Sequence, residues 1–242
     1  MKVDHVLFVG LGGTGGYLAE PLLRTLSYHP QGTSSILLAD PDEFEEHNSA
    51  RQIMDSEAIG QTKAAYHHRV LAAKGFETEV YDEEYVTYTW TKRYLRRHHG
   101  FVLVVVNVDN HPSRELTLRA CADSRSDFLW VSGGNGTEKG QVMTWGRYTD
   151  KDATQYIGMD PRLNHPDIAN PTIAPPRKGG CMLEAFSAPQ TLAANFTSAA
   201  WTLAVIQGFL DDLPLPDELL FSNVRFKTEP MELTPPFTQT AD

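Results

Sequence analysis

The chain of 242 residues is 41% hydrophobic and 21% charged, carries a formal charge of −10 and contains two cysteines, Cys121 and Cys181. That length suits one α/β domain able to bury its own core. The acidity disfavours a general binder of nucleic acid, and the isolated cysteines exclude a disulfide framework or a paired CxxC zinc ribbon while fitting a reducing cytosol.

No apolar run approaches the roughly 18 residues of a membrane helix. The apolar stretch after Lys2 is broken by Asp4, His5 and glycines and leads to no cleavage-site pattern. The expectation is a cytoplasmic protein without a membrane partner, in which the sequons at Asn135 and Asn195 carry no weight.

In chain order, Val3 to Val9 is a β-branched run ended by glycine, a buried strand. Thr14 to about Ser27 follows as a helix with Leu18, Leu22 and Leu26 on one face. Ser35 to Asp40 reads as the second strand, Gln61 to Lys74 as a helix, and Glu77 to Tyr81 as a short strand. A basic helix, Trp90 to His98, precedes FVLVVVNV, Phe101 to Val108, a central strand buried on both faces. Next come a helix near Arg114 to Asp123 and strands at Phe128 to Ser132 and Gln141 to Trp145. Asp150 to Gly180, rich in Pro, Asp, Asn and Gly, reads as a long irregular connection. An Ala-rich helix, Thr191 to Phe209, and a last strand, Phe221 to Lys227, complete the chain. The alternation predicts a Rossmann-like, doubly wound, mostly parallel sheet with additional C-terminal strands, in one domain spanning 1–242.

Gly10, Gly12, Gly13 and Gly15 form GxGGxG between the first strand and helix. Residues without Cβ allow a tight turn and let a phosphate approach the backbone, where the helix N-terminus offers unpaired N–H groups. Asp40, ending the second strand, can accept hydrogen bonds from ribose hydroxyls. Both features suit a nicotinamide dinucleotide or ATP equally well. The following residues separate them. DPDEFEEHNSARQ places Asn48, Arg51 and Gln52 just after Asp40, and GQTKA places Lys63 at a helix start. A triphosphate needs such cations as pyrophosphate leaves; a nicotinamide does not. Asp109, at the carboxyl end of the central strand, can hold Mg²⁺ on the phosphates.

With these motifs the chain resembles the ubiquitin-activating-enzyme-like ThiF/MoeB/HesA adenylyltransferases. The resemblance runs through GLGGTGG, DPDEFEEHNSARQ, IGQTKA and VNVDNHPSR, and continues in GNGTEKGQV as a glycine-flanked hairpin. It implies that Gly10, Gly12, Gly13 and Gly15 wrap the ATP phosphates, with Asp40 on the ribose and Asp42 beside it. It further implies that Asn48, Arg51, Gln52 and Lys63 grip the triphosphate while Asp109 holds Mg²⁺. The implied reaction is adenylation of the C-terminal glycine carboxylate of a small ubiquitin-fold or sulfur-carrier protein, in a homodimer. Gly13 would let substrate and nucleotide meet without an intervening side chain. His47 stands where the family has a small polar residue, and the family's CxxC pairs are absent.

Cys181, in PPRKGGCML, is either a reactive thiol, its pKa lowered by Arg177 and Lys178, or a small buried hydrophobe. Cys121 reads as structural. The adjacent pairs His67–His68 and His98–His99 read as solvated surface, since helix neighbours do not face one site. Lys92, Arg93, Arg96 and Arg97 make a basic stripe, either a solvated face or a dock for an acidic partner. The rival readings of the whole chain are an NAD-dependent oxidoreductase, a non-catalytic nucleotide-binding scaffold, and a relative that adenylates a modified tRNA.

Overall fold

The computed structural model describes residues 2–30, 32–136, 139–150, 153–176 and 191–222. Short β-branched and leucine runs form the parallel strands β1 (His5–Val9), β2 (Ser35–Ala39), β3 (Glu79–Tyr81), β4 (Phe101–Val106) and the start of β5 (Asp127–Asn135). Their spatial order is β3-β2-β1-β4-β5. All six residues of β4 are buried, as the uninterrupted apolar run requires of a strand covered on both faces. The sheet then reverses. β6 (Lys139–Asp150) runs antiparallel to β5, closing the glycine-flanked hairpin with Asn135 opposite Gly140. On its other side β6 pairs along Gly146 to Asp150 with β7 (Ala153–Ile157) and along Lys139 to Met143 with β8 (Glu218–Ser222).

Alternation along the strands distributes the core to two faces. Val6 and Phe8 of β1 pack with leucines of α1 (Gly13–Tyr28) and with Val205 and Ile206 of α6 (Leu192–Leu210). Leu7 and Val9 face the opposite way, toward Leu95 of α3 (Tyr88–Arg97) and Leu116 and Leu118 of α4 (His111–Ala122). Side chains such as Phe8, Leu22 and Trp130 are fully buried, each worth about 1.5–3 kcal/mol of burial.

The helix starts differ in a way that matters below. Thr62 caps α2 (Lys63–Ala72), Thr87 caps α3, Asn110 caps α4 and Thr191 caps α6, each accepting from a backbone N–H. α1 starts at Gly12 with no side-chain cap, so its first N–H groups stay available.

Two stretches depart from the sequence reading. Asp150 to Gly180 contains β7, a 3-10 turn at Pro161–Leu163 and the short α5 (Pro166–Ala169) in its described part. Four of the five β7 residues are exposed, so no buried alternation marked it as a strand. The last strand begins earlier than expected, at Glu218; residues 223–227 lie outside the described residues.

Candidate active site

In a doubly wound sheet the ligand crevice opens beyond the carboxyl ends of the strands flanking the point where the order reverses. Here those strands are β1 and β4, and the chain leaving β1 is the glycine loop. Gly10 has φ +87°, and a Cβ there would lie 2.6 Å from the Asn107 carbonyl oxygen. A Cβ at Gly15 would lie 1.9 Å from the Gly10 carbonyl oxygen, so this glycine lets the helix close on the strand. Gly13 faces Asn195 of α6, whose Nδ2 would sit 2.2 Å from an added Cβ. Its small size thus admits Asn195, a role the sequence reading gave to a meeting of substrate and nucleotide. Gly12 alone of the four has open room, with Gln52 at 3.8 Å as its nearest neighbour.

Asp40, beyond β2, is 6% exposed and holds the loop from below. Its Oδ2 accepts from Leu11 N at 2.6 Å and its Oδ1 from Asp42 N at 3.0 Å. Burial pushes its pKa up to about 6, against the pull of Lys63. Lys63, at the first position of α2, is itself buried and donates to Asp42 Oδ2 at 3.3 Å. Burial works against its charge, but Asp40, Asp42 and Asp109 outweigh that and keep its pKa above the ordinary lysine value. Tyr85 donates its hydroxyl to Asp42 Oδ1, and burial together with that bond raises its pKa. The result is one ammonium held charged among three carboxylates.

Arg51, Asn48 and Gln52 follow on the next loop. Asn48 sits in a 3-10 turn, Glu46–Ala50, and its side-chain oxygen accepts from Glu45 N at 3.1 Å. Its first task is therefore to shape the turn that delivers Arg51 and Gln52. Gln52 is buried with Oε1 unpaired among the described residues, beside Gly12. Arg51 is half-buried, and its carbonyl accepts from Asn195 Nδ2 at 2.8 Å. Asn195 Oδ1 in turn accepts from Asn135 Nδ2 at 3.0 Å, and Asn135 Oδ1 accepts from Thr14 Oγ1 at 2.9 Å. This chain of amides ties the glycine helix, β5, α6 and the Arg51 loop together.

Asp109 stands exposed just past β4. Behind it Arg114 of α4 is 5% exposed, giving Nη2 to the Val108 carbonyl at 2.6 Å and Nε to Ser132 Oγ at 3.2 Å. Burial lowers its pKa to about 10, with Asp109 and Asp167 opposing, so the guanidinium stays charged at neutral pH. Among the described residues no group of three or more His, Cys, Asp or Glu could hold a metal alone.

Cys181, with Arg177 and Lys178, lies outside the described residues. Cys121 is buried and free, its thiol pushed up by burial, as a structural cysteine should be. The surface reading of His67 is corrected. It is 4% exposed, packs against Gly16, Phe44 and Tyr66, and burial lowers its pKa to about 4.

Sequence reasoning missed Asn195, Asn135, Arg114 and Tyr85. An amide inside an uncharged, Ala-rich helix was the available signal for Asn195, and the arginine of NVDNHPSR was in view but assigned no role. Tyr85 carries no such signal.

Comparison with known proteins bears on the fold. Among solved structures, E. coli tRNA N6-threonylcarbamoyladenosine dehydratase, TcdA, is 18% identical with TM-score 0.57, each chain covered over 86%. It is also known in complex with AMP. E. coli MccB with ATP is 18% identical, TM-score 0.57, covering 88% of this chain and 57% of MccB. PaaA is 14% identical with TM-score 0.52, covering 90% of this chain and 60% of PaaA. No curated protein matches by sequence search. These likenesses establish the fold, and the family model matches residues 1–240. The chain belongs to the ThiF family, with its nucleotide-binding, adenylyltransferase-like domain.

Proposed function

We propose that this protein adenylates the C-terminal glycine carboxylate of a small ubiquitin-fold or sulfur-carrier protein, using ATP and releasing pyrophosphate. The observation that carries the reading is Lys63, a buried ammonium kept charged by Asp40, the carboxylate that also holds the glycine loop at Leu11. A dinucleotide site has no use for a cation there, whereas a departing pyrophosphate needs one.

The residues fit a nucleotide triphosphate. The free N–H groups of α1 and the open face of Gly12 suit phosphates. Asp40 keeps lone pairs for ribose hydroxyls, and Gln52 Oε1 and Asn107 Nδ2, without a partner among the described residues, offer further buried polar contacts. Arg51 and Lys63 would neutralise the triphosphate, and Asp109 would hold Mg²⁺. A magnesium shared with phosphates needs only one or two carboxylates, so a protein cage is not required. ATP supplies the adenylyl group; the protein's part is to orient it, exclude water and neutralise the departing charge.

The acidity of the chain supports a protein rather than a tRNA acceptor. Glu43, Glu45, Glu46, Glu83 and Glu84 lie exposed on the loops that follow β2 and β3, on the same end as the site. A homodimer belongs to the same proposal. α6 has no charged residue, and Leu192, Phe196 and Trp201 are 46%, 53% and 42% exposed on it. No helix among the described residues is long and apolar enough to cross a membrane.

Exchange of labelled pyrophosphate into ATP tests the reaction, with small ubiquitin-fold proteins and peptides ending in Gly-Gly as acceptors. Exchange should require both Mg²⁺ and an acceptor with a free C-terminal carboxylate, and should vanish when that carboxylate is amidated. Exchange unaffected by amidation would overturn the acceptor assignment.

A further inference from the structure

The end of the sheet opposite the candidate site carries a groove of about 700 Å³. It lies between one side of α3, from Tyr88 to Arg96, and the 123–127 turn, near the starts of the parallel strands β4 and β5. The strand length between the two ends, six residues in β4, sets them about 20 Å apart. Lys92, Arg93, Arg96 and Arg125 line it, on a chain whose net charge is −10.

Three of these cations are uncommitted. Arg93, Arg96 and Arg125 are exposed and form no ion pair with any described residue. The carboxylates within the groove are already engaged: Asp123 Oδ2 accepts from Tyr88 OH at 2.7 Å and Asp127 Oδ1 from Thr149 Oγ1 at 3.1 Å. The wall bearing Arg125 is fixed, because the Arg147 guanidinium donates to the Ser124 carbonyl at 2.8 Å and the Ser126 carbonyl at 3.0 Å. A rigid concave wall with free guanidiniums suits carboxylates, which such groups grip bidentately.

We infer that this groove docks an acidic segment of a partner polypeptide, leaving the carboxyl end of the sheet open. Arg93 and Arg96 are one helical turn apart on α3, so the helical wall from Thr89 to Arg96 is about 10 Å long. Three or four extended residues span that length, with alternate side chains on the basic face. Nucleic acid fits less well. The tyrosine of the groove, Tyr88, has Arg119 over it at 4.6 Å and Lys92 at 5.4 Å, which leaves that ring no open face for a base. A long polyanion would also meet the acidic remainder of the surface, which a short segment avoids.

Fluorescence anisotropy with a labelled eight-residue Glu-Ser repeat tests this, beside a Gln-Ser repeat and a 12-nucleotide single-stranded RNA. The Glu-Ser peptide should bind the full chain and weaken at least 10-fold in the triple variant Arg93→Gln, Arg96→Gln, Arg125→Gln. The corresponding triple Arg→Lys variant should retain part of the affinity, and the Gln-Ser peptide should not bind. Both variants should melt with the wild-type protein and bind Mg·ATP unchanged, which separates this surface from the nucleotide site. Equal peptide binding by wild type and the Arg→Gln variant overturns the inference, as does absence of peptide binding. RNA that binds this groove more tightly than the peptide overturns it as well.

Discussion

The two ends of the sheet treat charge in opposite ways. At the carboxyl end, the charge of one buried ammonium is sustained by Asp40, Asp42 and Asp109, and Asp40, Asp42 and Lys63 are tied to backbone or to each other. At the amino end, Arg93, Arg96 and Arg125 stand in the open without a described carboxylate partner. Buried charge is tolerated only when it is paired and fixed, and fixed charge is what stabilises a developing charge in a reaction. Exposed, unpaired charge stabilises nothing by itself and awaits a partner to neutralise it. On the two proposals made above, the same sheet would separate chemistry from recognition.

The sharpest break within the carboxyl end comes from its glycines. Gly15→Ala puts a methyl 1.9 Å from the Gly10 carbonyl oxygen, where backbone must move. Urea denaturation should show a loss of about 3 kcal/mol or more. Gly12→Ala meets nothing nearer than 3.8 Å and should keep the fold while losing Mg·ATP binding. If both variants lose only the nucleotide, the helix does not close on the strand as described.

Next in size is a pair of opposing titrations. His67 has its pKa lowered to about 4, so its contribution is present above its ordinary value of 6.5 and lost as pH falls toward 4. Asp40 has its pKa raised to about 6 from 3.8, so its contribution is present at low pH and lost as pH rises through 6. Each is worth about 3 kcal/mol, and between pH 4 and 6 they largely cancel. His67→Gln removes one of them. Its stability should rise as pH falls from 6 to 4, where the wild type stays nearly flat; parallel curves would refute the buried, neutral His67.

A smaller effect is expected at Asn195. Replacing it by Ala leaves the Arg51 carbonyl and Asn135 Nδ2 without their partner, at a cost of about 2 kcal/mol. Nucleotide affinity should drop more than stability accounts for, because the Arg51 loop loses its tether. Asn195→Asp keeps the acceptor for Asn135 but loses the donor to Arg51 and buries a carboxylate, so it should be at least as damaging.

Much of this was legible in the sequence, for physical reasons. β1, β2 and β4 are short β-branched and leucine runs ended by Gly10, Asp40 and Asn107, and Lys63 follows a threonine that caps its helix. Position at the carboxyl end of the sheet could be read from such order; burial could not. Lys63 and His67 lie on the same short helix, and only the packing against Asp40 and Gly16 shows why one stays charged and the other neutral. β7 escaped because its ATQYI residues face solvent at a sheet edge and carry no alternation. Asn195 escaped because its partners come from positions 51 and 135, a convergence that no local pattern contains.

The most direct test of the account is calorimetric titration of Mg·ATP and of NAD into the wild-type protein and Lys63→Met, which keeps the stem and removes the charge. Wild type should bind Mg·ATP and not NAD, and Lys63→Met should bind Mg·ATP about 100-fold more weakly, the loss expected for a charged hydrogen-bond donor in a buried site. Undiminished Mg·ATP binding by Lys63→Met, with its fold intact by melting, would contradict the claim that this ammonium makes the crevice a triphosphate site. NAD binding as tight as that of Mg·ATP would contradict it equally.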